Sequence, residues 1–361
     1  MYFNPSAGSC TFNYSTNHAV EDFHRLLPDY NSTPLVSLPE LAQELGLGHV
    51  LIKDESHRFS LPAFKILGAS WAIYKAIAAK GGLPAQCSLE ELGEFAKDKK
   101  VKLVTCSEGN WGRAVARMGK HLHVPTTIFV PKYMDQATQD KITSEGAAVR
   151  VVPGDYDLSI KASREEADCT DSLLVMDTSW PGYEEIPTWV VEGYSTMLTE
   201  TDRQVQDKTG KAATHAIASV GVGSWAQAVA LHYKGQTSRA FVVTVEPDTA
   251  ASLKTSLEAG RVTPIVTGDT IMCGMNCGTI STVAWPVLRD GVDASVAIED
   301  IEAHESVQYL HKRGVMCGPC GAAPLSALRR ICKEKALMLG AESIVVLFST
   351  EGARAYVAPR P

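Results

Sequence analysis

Short apolar runs alternate with longer amphipathic segments along most of the chain. Runs typical of buried strands are HVLIKDE, VKLVTCS, VPTTIFVPK, AAVRVVP, LLVMDTSW, THAIASVG, AFVVTVEPD and SIVVLFSTEG. The segments between them, such as ILGASWAIYKAIAAK and YDLSIKASREEADC, carry apolar residues at helical spacing, and IPTWVVEGYSTMLTETDRQV predicts one long helix. Strands separated by helices at this spacing predict an α/β fold with mostly parallel sheets flanked by helices. No long linker or internal repeat divides the chain, so we expect any two domains to be interleaved.

Composition narrows the class of protein. The 361 residues carry a formal net charge of -7, which argues against nucleic-acid binding. No apolar run approaches the roughly 20 residues that span a bilayer. Nine cysteines are scattered along the chain, and the N-terminus lacks a secretory pattern. These features predict a protein of the cytoplasm with reduced thiols.

Lys65 is the first candidate for chemistry. It lies between Phe64 and Ile66, near the first turn of a predicted helix. Apolar neighbours lower the pKa of a lysine by desolvation, which makes the neutral amine available as a nucleophile. Neutral amines form Schiff bases with aldehydes such as pyridoxal phosphate. A structural lysine with a buried stem and a solvated ammonium fits the same segment. Other residues therefore have to decide whether Lys65 is a Schiff-base lysine.

Glycines and polar side chains follow several predicted strands, where ligands of parallel sheets bind. A turn is expected at Gly221, Val222, Gly223 and Ser224. It either binds a phosphate at a helix N-terminus or is only a tight strand-to-helix turn that requires glycine for its backbone conformation. Asn110 lies in CSEGNWG and can bond a phenolate or a carboxylate, although this turn can equally be a helix cap.

Three further groups can take part in such a site. Asp177 is either a base or a helix cap, and the hydroxyls of Ser349 and Thr350 can meet a heterocyclic nitrogen. The cysteines at 273, 277, 317 and 320 have spacings seen in zinc sites, but they lack the polar surroundings of a zinc ribbon. We therefore predict no metal.

Together these motifs resemble the tryptophan-synthase-β-like family of fold type II pyridoxal phosphate enzymes. Within that family, the chain is similar to the diaminopropionate ammonia-lyases. The resembling segments lie between about Ser32 and Gly352 and include LIKDESHRF, AFKILGASWAI, EGNWGRAVA, DTSWPGYEEIPTWVVEGY, VGVGS, TIMCGMNCG and STEG.

The resemblance implies a role for each candidate residue. Lys65 would hold the cofactor as a Schiff base next to Phe64, and Asn110 would face its phenolic oxygen. The turn of residues 221–224 would hold the phosphate, and Ser349 or Thr350 would face the pyridine nitrogen. The implied catalytic residues are Lys65, Asp177 and Glu108, and the implied substrate contacts are Ser107, Gly109, Trp111, Cys317 and Cys320.

The resemblance also implies an architecture and assembly. Residues 1–64 and 190–361 would form a large cofactor-binding domain, and residues 65–189 a smaller, mobile α/β domain. The partner would be a small amino-acid substrate, with no nucleic acid or membrane, in a homodimer.

Two segments depart from the pattern of these lyases. Where the lyases would have Asp-Gly-Asn-His-Gly, this chain has Glu108 and Trp111, and where they would have Ser-Gly-Glu-Ser-Gly it has CGPCG at residues 317–321. The second change removes a carboxylate that can sit near a substrate amine. The implied reaction is an α,β-elimination on a small, 2,3-diaminopropionate-like amino acid, giving a 2-oxo acid and ammonia through aminoacrylate. A β-replacement synthase, an amino-acid racemase and a non-catalytic family member remain alternatives.

Overall fold

A computed structural model describes residues 1–8, 11–12, 17–84, 87–107, 109–154, 156–335 and 339–360. These residues form eleven strands and fourteen α-helices. The strands are β1 (Tyr2–Phe3), β2 (Leu35–Ser37), β3 (His49–Asp54), β4 (Leu103–Cys106), β5 (Thr126–Pro131), β6 (Ala148–Val152), β7 (Leu173–Leu174), β8 (His215–Ser219), β9 (Phe241–Pro247), β10 (Ala294–Ile298) and β11 (Ile344–Ser349).

Most of the helices follow or precede a strand and cover the faces of the sheets. They are α1 (His18–Leu26), α2 (Pro39–Leu45), α3 (Lys65–Gly81), α4 (Leu89–Asp98), α5 (Asn110–His121), α6 (Gln136–Ser144), α7 (Tyr156–Thr170), α8 (Glu185–Gly193), α9 (Ser195–Thr209), α10 (Ser224–Gly235), α11 (Ser252–Ala259), α12 (Trp285–Gly291), α13 (Asp300–His311) and α14 (Pro319–Glu334). Among the helices described, none is long and apolar enough to cross a membrane.

The strands form two separate sheets. The larger sheet has the order β1-β10-β9-β8-β11-β3-β2, and the smaller one has the order β6-β5-β4-β7. All pairings are parallel except those of the edge strands β1 and β2, which are antiparallel. The predicted α/β class with mostly parallel sheets is therefore confirmed.

The smaller sheet is built from one continuous segment of chain, whereas the larger sheet takes strands from both sides of that segment. The strands β8, β3 and β11 are buried almost throughout, which explains their uninterrupted apolar runs. The central strands of both sheets direct their carboxyl ends toward the segments that carry Ser107, Asp177, Gly221 and Thr350, and these residues line a common cavity.

Two predicted elements differ from the observed ones. The single long helix predicted from Ile186 onward is wrong, because α8 ends at Gly193 and α9 begins after Tyr194. The predicted strand LLVMDTSW pairs only through Leu173–Leu174. Beyond it, the Tyr183 hydroxyl donates to the Leu174 carbonyl and accepts from the Met176 amide, and it thereby takes the place of a neighbouring strand.

Candidate active site

A cavity of about 380 Å³ lies between the two sheets. Its walls come from the start of α3, the turn before α5, the segment after β7, the turn before α10 and the segment after β11. The sequence predicts these same strand ends and helix starts as a site, and the fold brings them together in one place.

Lys65 is the first residue of α3, and its amine enters the cavity. Its Nζ lies 2.6 Å from Oδ2 of Asp177, 5.3 Å from the centre of the Phe64 ring and 5.8 Å from that of Trp111. About a fifth of the side chain, 21%, stays exposed to the cavity. The amine therefore has both an anionic partner and open space in front of it.

The pKa of Lys65 is raised, so the predicted lowering is wrong. Burial by itself lowers the pKa of the amine, but the Asp177 carboxylate, together with Tyr194 and Cys277, raises that pKa by more. The local sequence shows only the apolar neighbours, whereas the decisive charge comes from a residue 112 positions along the chain. In this state the pair is an ammonium bound to a carboxylate.

Asp177 is held in place by the segment that follows it. Its side chain is nearly buried, and two residues later the Ser179 hydroxyl bonds Ser281 at 2.6 Å and Thr282 at 2.8 Å. Ser281 and Thr282 lie shortly before the start of α12. These hydroxyl contacts join the smaller-sheet side of the cavity to the larger-sheet side two residues after Asp177.

The turn before α5 is organised by Ser107 and Trp111. The Ser107 hydroxyl accepts hydrogen bonds from the amides of Gly109, at 2.8 Å, and Gly112, at 2.7 Å. The Trp111 indole N–H donates to Thr105 Oγ1 at 3.0 Å and to the Val175 carbonyl, so the ring is anchored with one side on the cavity. Glu108, the predicted second carboxylate, lies outside the described residues.

Asn110 begins α5 and lines the cavity. Its Nδ2 donates to Oε2 of Glu351 at 3.3 Å. Glu351 also lines the cavity and is not among the candidate residues expected from the sequence, although it belongs to the STEG motif that carries the resemblance. The position of this motif directly after a buried strand was the available signal.

The turn before α10 leaves backbone amides uncovered. A side chain at Gly221 would place its Cβ 2.9 Å from the Gly274 carbonyl oxygen, and Gly223 has a φ of +100°, which glycine adopts without strain. Val222 and Ser224 complete the turn, and Ser224 is the first residue of the helix. Bare amides at a helix N-terminus suit a phosphate group.

The two hydroxyls at the end of β11 have different surroundings. Thr350 lines the cavity and lies 3.4 Å, oxygen to oxygen, from the Ser219 hydroxyl. The Ser349 hydroxyl is buried, interacts with the Cys317 thiol and does not line the cavity, so of the two hydroxyls only that of Thr350 is open to a ligand.

The predicted cysteine contacts divide into two groups. Cys320 lines the cavity together with Cys273 and Cys277. Cys317 is fully buried and does not line the cavity, so the structure does not bring it to the position expected of a substrate contact. Burial raises the pKa of Cys317 to about 12 and keeps it a thiol.

These residues fit pyridoxal phosphate on three observations. Lys65 supplies an amine in the cavity, the glycine turn supplies backbone amides for a phosphate, and Thr350 supplies a hydroxyl in the cavity wall. The cavity volume also accommodates a single-ring phosphate ester with a small amino acid.

Comparison with known proteins agrees with this chemistry. Residues 26–350 match the family model described as pyridoxal-phosphate dependent enzyme. The chain belongs to the pyridoxal-phosphate-dependent enzyme family. It is 33% identical to the diaminopropionate ammonia-lyase of Salmonella typhimurium, over 97% of this chain and 92% of that relative. The family resemblance, the cofactor and the class of enzyme predicted from the sequence are thereby confirmed.

Solved structures of this family superpose closely on the chain. The crystal structure of the Escherichia coli diaminopropionate ammonia-lyase with D-serine has a TM-score of 0.90 at 30% identity and covers 97% of this chain and 93% of that one. The same enzyme with an aminoacrylate-PLP azomethine reaction intermediate has a TM-score of 0.89 at 30% identity, with the same coverage. The fold is therefore that of the fold type II members of the family.

Proposed function

We propose that the protein eliminates ammonia from 2,3-diaminopropionate and releases a 2-oxo acid with a second ammonia. The observation that carries the proposal is the Lys65–Asp177 pair on the floor of a cavity suited to pyridoxal phosphate, in a chain similar to diaminopropionate ammonia-lyases along nearly its full length. When bound, pyridoxal phosphate acts as an electron sink that acidifies the α-hydrogen of the amino acid and promotes loss of its β substituent.

Residues on both walls of the cavity hold the cofactor. Lys65 binds it covalently through its amine, next to Phe64, and residues 221–224 hold the phosphate at the start of α10. Asn110 faces the phenolic oxygen, and a hydroxyl at the end of β11 faces the pyridine nitrogen. Thr350 is better placed for this than Ser349 because Thr350 lines the cavity.

Moving the proton is the task of Asp177. Its carboxylate lies 2.6 Å from the Lys65 amine, so it accepts a proton on the same side of the cavity where Lys65 is released. Glu108 remains a predicted second base. The backbone amides of Asn110 and Trp111, at the uncapped start of α5, are suited to the substrate carboxylate, and the Trp111 ring excludes water from the reacting atoms.

Domain movement, cellular location and oligomeric state are part of the same proposal. Residues 65–189 form a smaller domain, which contains the smaller sheet, and this domain moves relative to residues 1–64 and 190–361. None of the eight described cysteines forms a disulfide, which supports a cytoplasmic location. Resemblance to the family supports a homodimer, and light scattering of the purified protein would contradict that state if it gave the mass of one chain.

The experiment is an absorbance spectrum of the purified protein with pyridoxal phosphate, before and after 2,3-diaminopropionate, together with an ammonia assay. The wild type should show the visible band of a lysine-bound cofactor, and the band should change as ammonia appears. Lys65→Ala and Lys65→Arg should both lack the band and turnover, and the arginine variant keeps a cation beside Asp177 and so controls for folding.

Other outcomes favour the alternatives. A racemase would return the inverted substrate without ammonia, and a replacement synthase would divert the product when a thiol is added. A protein that stays colourless with added cofactor would be non-catalytic, and the proposal would then be abandoned.

A further inference from the structure

Glu351 is a carboxylate in the cavity wall to which neither the comparisons nor the sequence assign a role. Its Oε1 accepts from the Cys320 amide at 3.0 Å and lies 3.4 Å from Nε of Arg354. Its Oε2 is directed to the other side, toward Asn110 Nδ2 at 3.3 Å. The carboxyl group is therefore fixed by one oxygen and presents the other to the place where Asn110 meets the cofactor.

The surrounding chain is shaped to this side chain. A Cβ at Gly318 would lie 2.5 Å from Glu351 Oε1 and 2.8 Å from the Gly352 carbonyl oxygen, so the turn before α14 has room for the carboxylate only with glycine there. The Cys320 amide that holds Oε1 lies in the first turn of α14, whose N-terminus favours a negative charge. The result is a nearly buried carboxylate whose direction is set by its neighbours.

Oε2 keeps capacity for another donor. An ionised carboxyl group has about four lone-pair sites, and the hydrogen bond from Asn110 is long at 3.3 Å. The Cys320 thiol also interacts with the carboxyl group, but burial leaves that thiol with a raised pKa, so it adds no charge. Arg354 forms an ion pair with Oε1 on one side, and a cationic donor in the cavity is the group that the open lone pairs of Oε2 bind best.

The segment at residues 317–321 shows why this carboxylate matters in this chain. The resembling lyases would carry a glutamate where this chain has Pro319, so the segment cannot supply an anion for a substrate amine. Glu351 lies against the same segment and supplies one from the opposite side.

We propose that Glu351 binds the β-ammonium group of a diamino acid and makes the site selective for it over β-hydroxy amino acids. As the α-proton passes to the base, the Cα–H electron pair forms the Cα–Cβ double bond and the Cβ–N pair leaves on nitrogen. Because Glu351 binds the ammonium form, that nitrogen leaves as neutral ammonia and needs no further proton. The inference rests on the proposed function and specifies its substrate class.

The test compares two substrates in the holoenzyme. Glu351→Gln keeps the shape and an acceptor for the Cys320 amide but removes the charge. It should lower kcat/KM for 2,3-diaminopropionate by about 10- to 100-fold. It should change kcat/KM for β-chloroalanine, whose leaving group carries no cation, by less than about 3-fold, with the visible cofactor band unchanged.

A matched control removes a carboxylate from the cavity rim. Asp135 caps α6 through the Thr138 amide, and Asn is an equally good cap, so Asp135→Asn should leave the ratio of the two kcat/KM values unchanged. Equal losses on both substrates in Glu351→Gln, or no loss on either, would overturn the role of Glu351. Absence of ammonia release from 2,3-diaminopropionate by the wild type would instead overturn the proposed function.

A second measurement needs no variant. 2,4-Diaminobutyrate carries an ammonium group on its γ carbon, where homoserine carries a hydroxyl. Neither compound has a leaving group on the β carbon. The wild type should be inhibited at least about 10-fold more strongly by the diamino acid. Equal inhibition would contradict a β-ammonium site even if Glu351→Gln failed to fold.

Discussion

At the scale of single residues, the pairing of Lys65 with Asp177 determines the state of the site. The amine is surrounded by Phe64 and Trp111, and without the carboxylate its burial would favour the neutral form. With Asp177 at 2.6 Å, the charged form is favoured instead. In the cofactor-free site the lysine is therefore protonated and paired with Asp177.

Asp177→Asn should separate cofactor capture from turnover. Without the carboxylate the pKa of Lys65 falls, so more of the amine is neutral near pH 7 and the cofactor-free variant should bind pyridoxal phosphate covalently faster than the wild type. The difference should shrink as pH rises toward the higher pKa of the wild-type lysine. Turnover should fall by about 10²- to 10⁴-fold because a base is lost.

Stopped-flow absorbance against pH measures the capture rates, and an ammonia assay measures turnover. Identical pH profiles for capture in the two proteins would show that Asp177 does not control Lys65. Unchanged turnover would remove Asp177 from the chemistry.

At the scale of elements, the start of α10 is the most constrained part of the site. Gly223 has a left-handed φ, and its neighbour Gly221 lies against the Gly274 carbonyl oxygen. This geometry directs amides into the cavity, and it explains why the turn has glycines where a phosphate is expected although no longer nucleotide motif is present.

Gly223→Ala should weaken cofactor binding by about 10-fold, because a left-handed alanine costs about 1 kcal/mol or more and the turn relaxes away from its binding shape. Gly210→Ala is the matched control, since Gly210 has a φ of +70° with nothing within 4 Å of an added Cβ and ends α9 far from the cavity walls. Gly223→Ala should lose the larger free energy of unfolding, measured by urea titration, because its Cβ would also lie 3.0 Å from Leu288 Cδ1, and only this variant should lose cofactor affinity. Equal affinities would mean that the turn does not hold the phosphate.

At the scale of the whole molecule, the site lies between a sheet made from one continuous segment and a sheet made from the rest of the chain. One hydrophobic core contains residues of both parts, and hydroxyl contacts such as Ser179 with Ser281 bridge them beside the cavity. A cavity wall divided in this way can close over a ligand by movement of the smaller part.

Ligand-driven closure should be visible in solution. Small-angle scattering of the holoenzyme should show a smaller radius of gyration with saturating D-serine than without it, because the smaller domain moves onto the larger one. D-serine is a reasonable probe because a structurally similar lyase has been crystallised with it. An unchanged radius, with binding verified from the cofactor spectrum, would contradict a mobile smaller domain.

The strands, most of the helices and the location of the cavity are predictable because they depend on burial and on local turn chemistry. The run VKLVTCS is a strand since both faces of β4 are covered, and Ser88 begins α4 through a capping box formed by nearby residues. Strand ends in a parallel sheet meet at one edge, so Asn110, Asp177 and Gly221 were predictable neighbours.

The remaining features depend on partners far apart in sequence. The raised pKa of Lys65 requires Asp177, and the direction of Glu351 requires the Cys320 amide and the missing side chain of Gly318. The edge strand β1 pairs with β10, whose residues lie nearly 300 positions further along the chain. Because β1 consists of only Tyr2–Phe3, it is too short to show a periodic pattern. Local pattern carries no information on such contacts.

The most direct test of the account measures both products of 2,3-diaminopropionate in one sample of the purified holoenzyme, with each enantiomer in turn. Pyruvate should form, two molecules of ammonia should appear for each pyruvate, and Lys65→Ala should form neither product. Cofactor-loaded protein that releases no ammonia from either enantiomer, or that forms ammonia and 2-oxo acid in a ratio other than two to one, would contradict the proposed reaction.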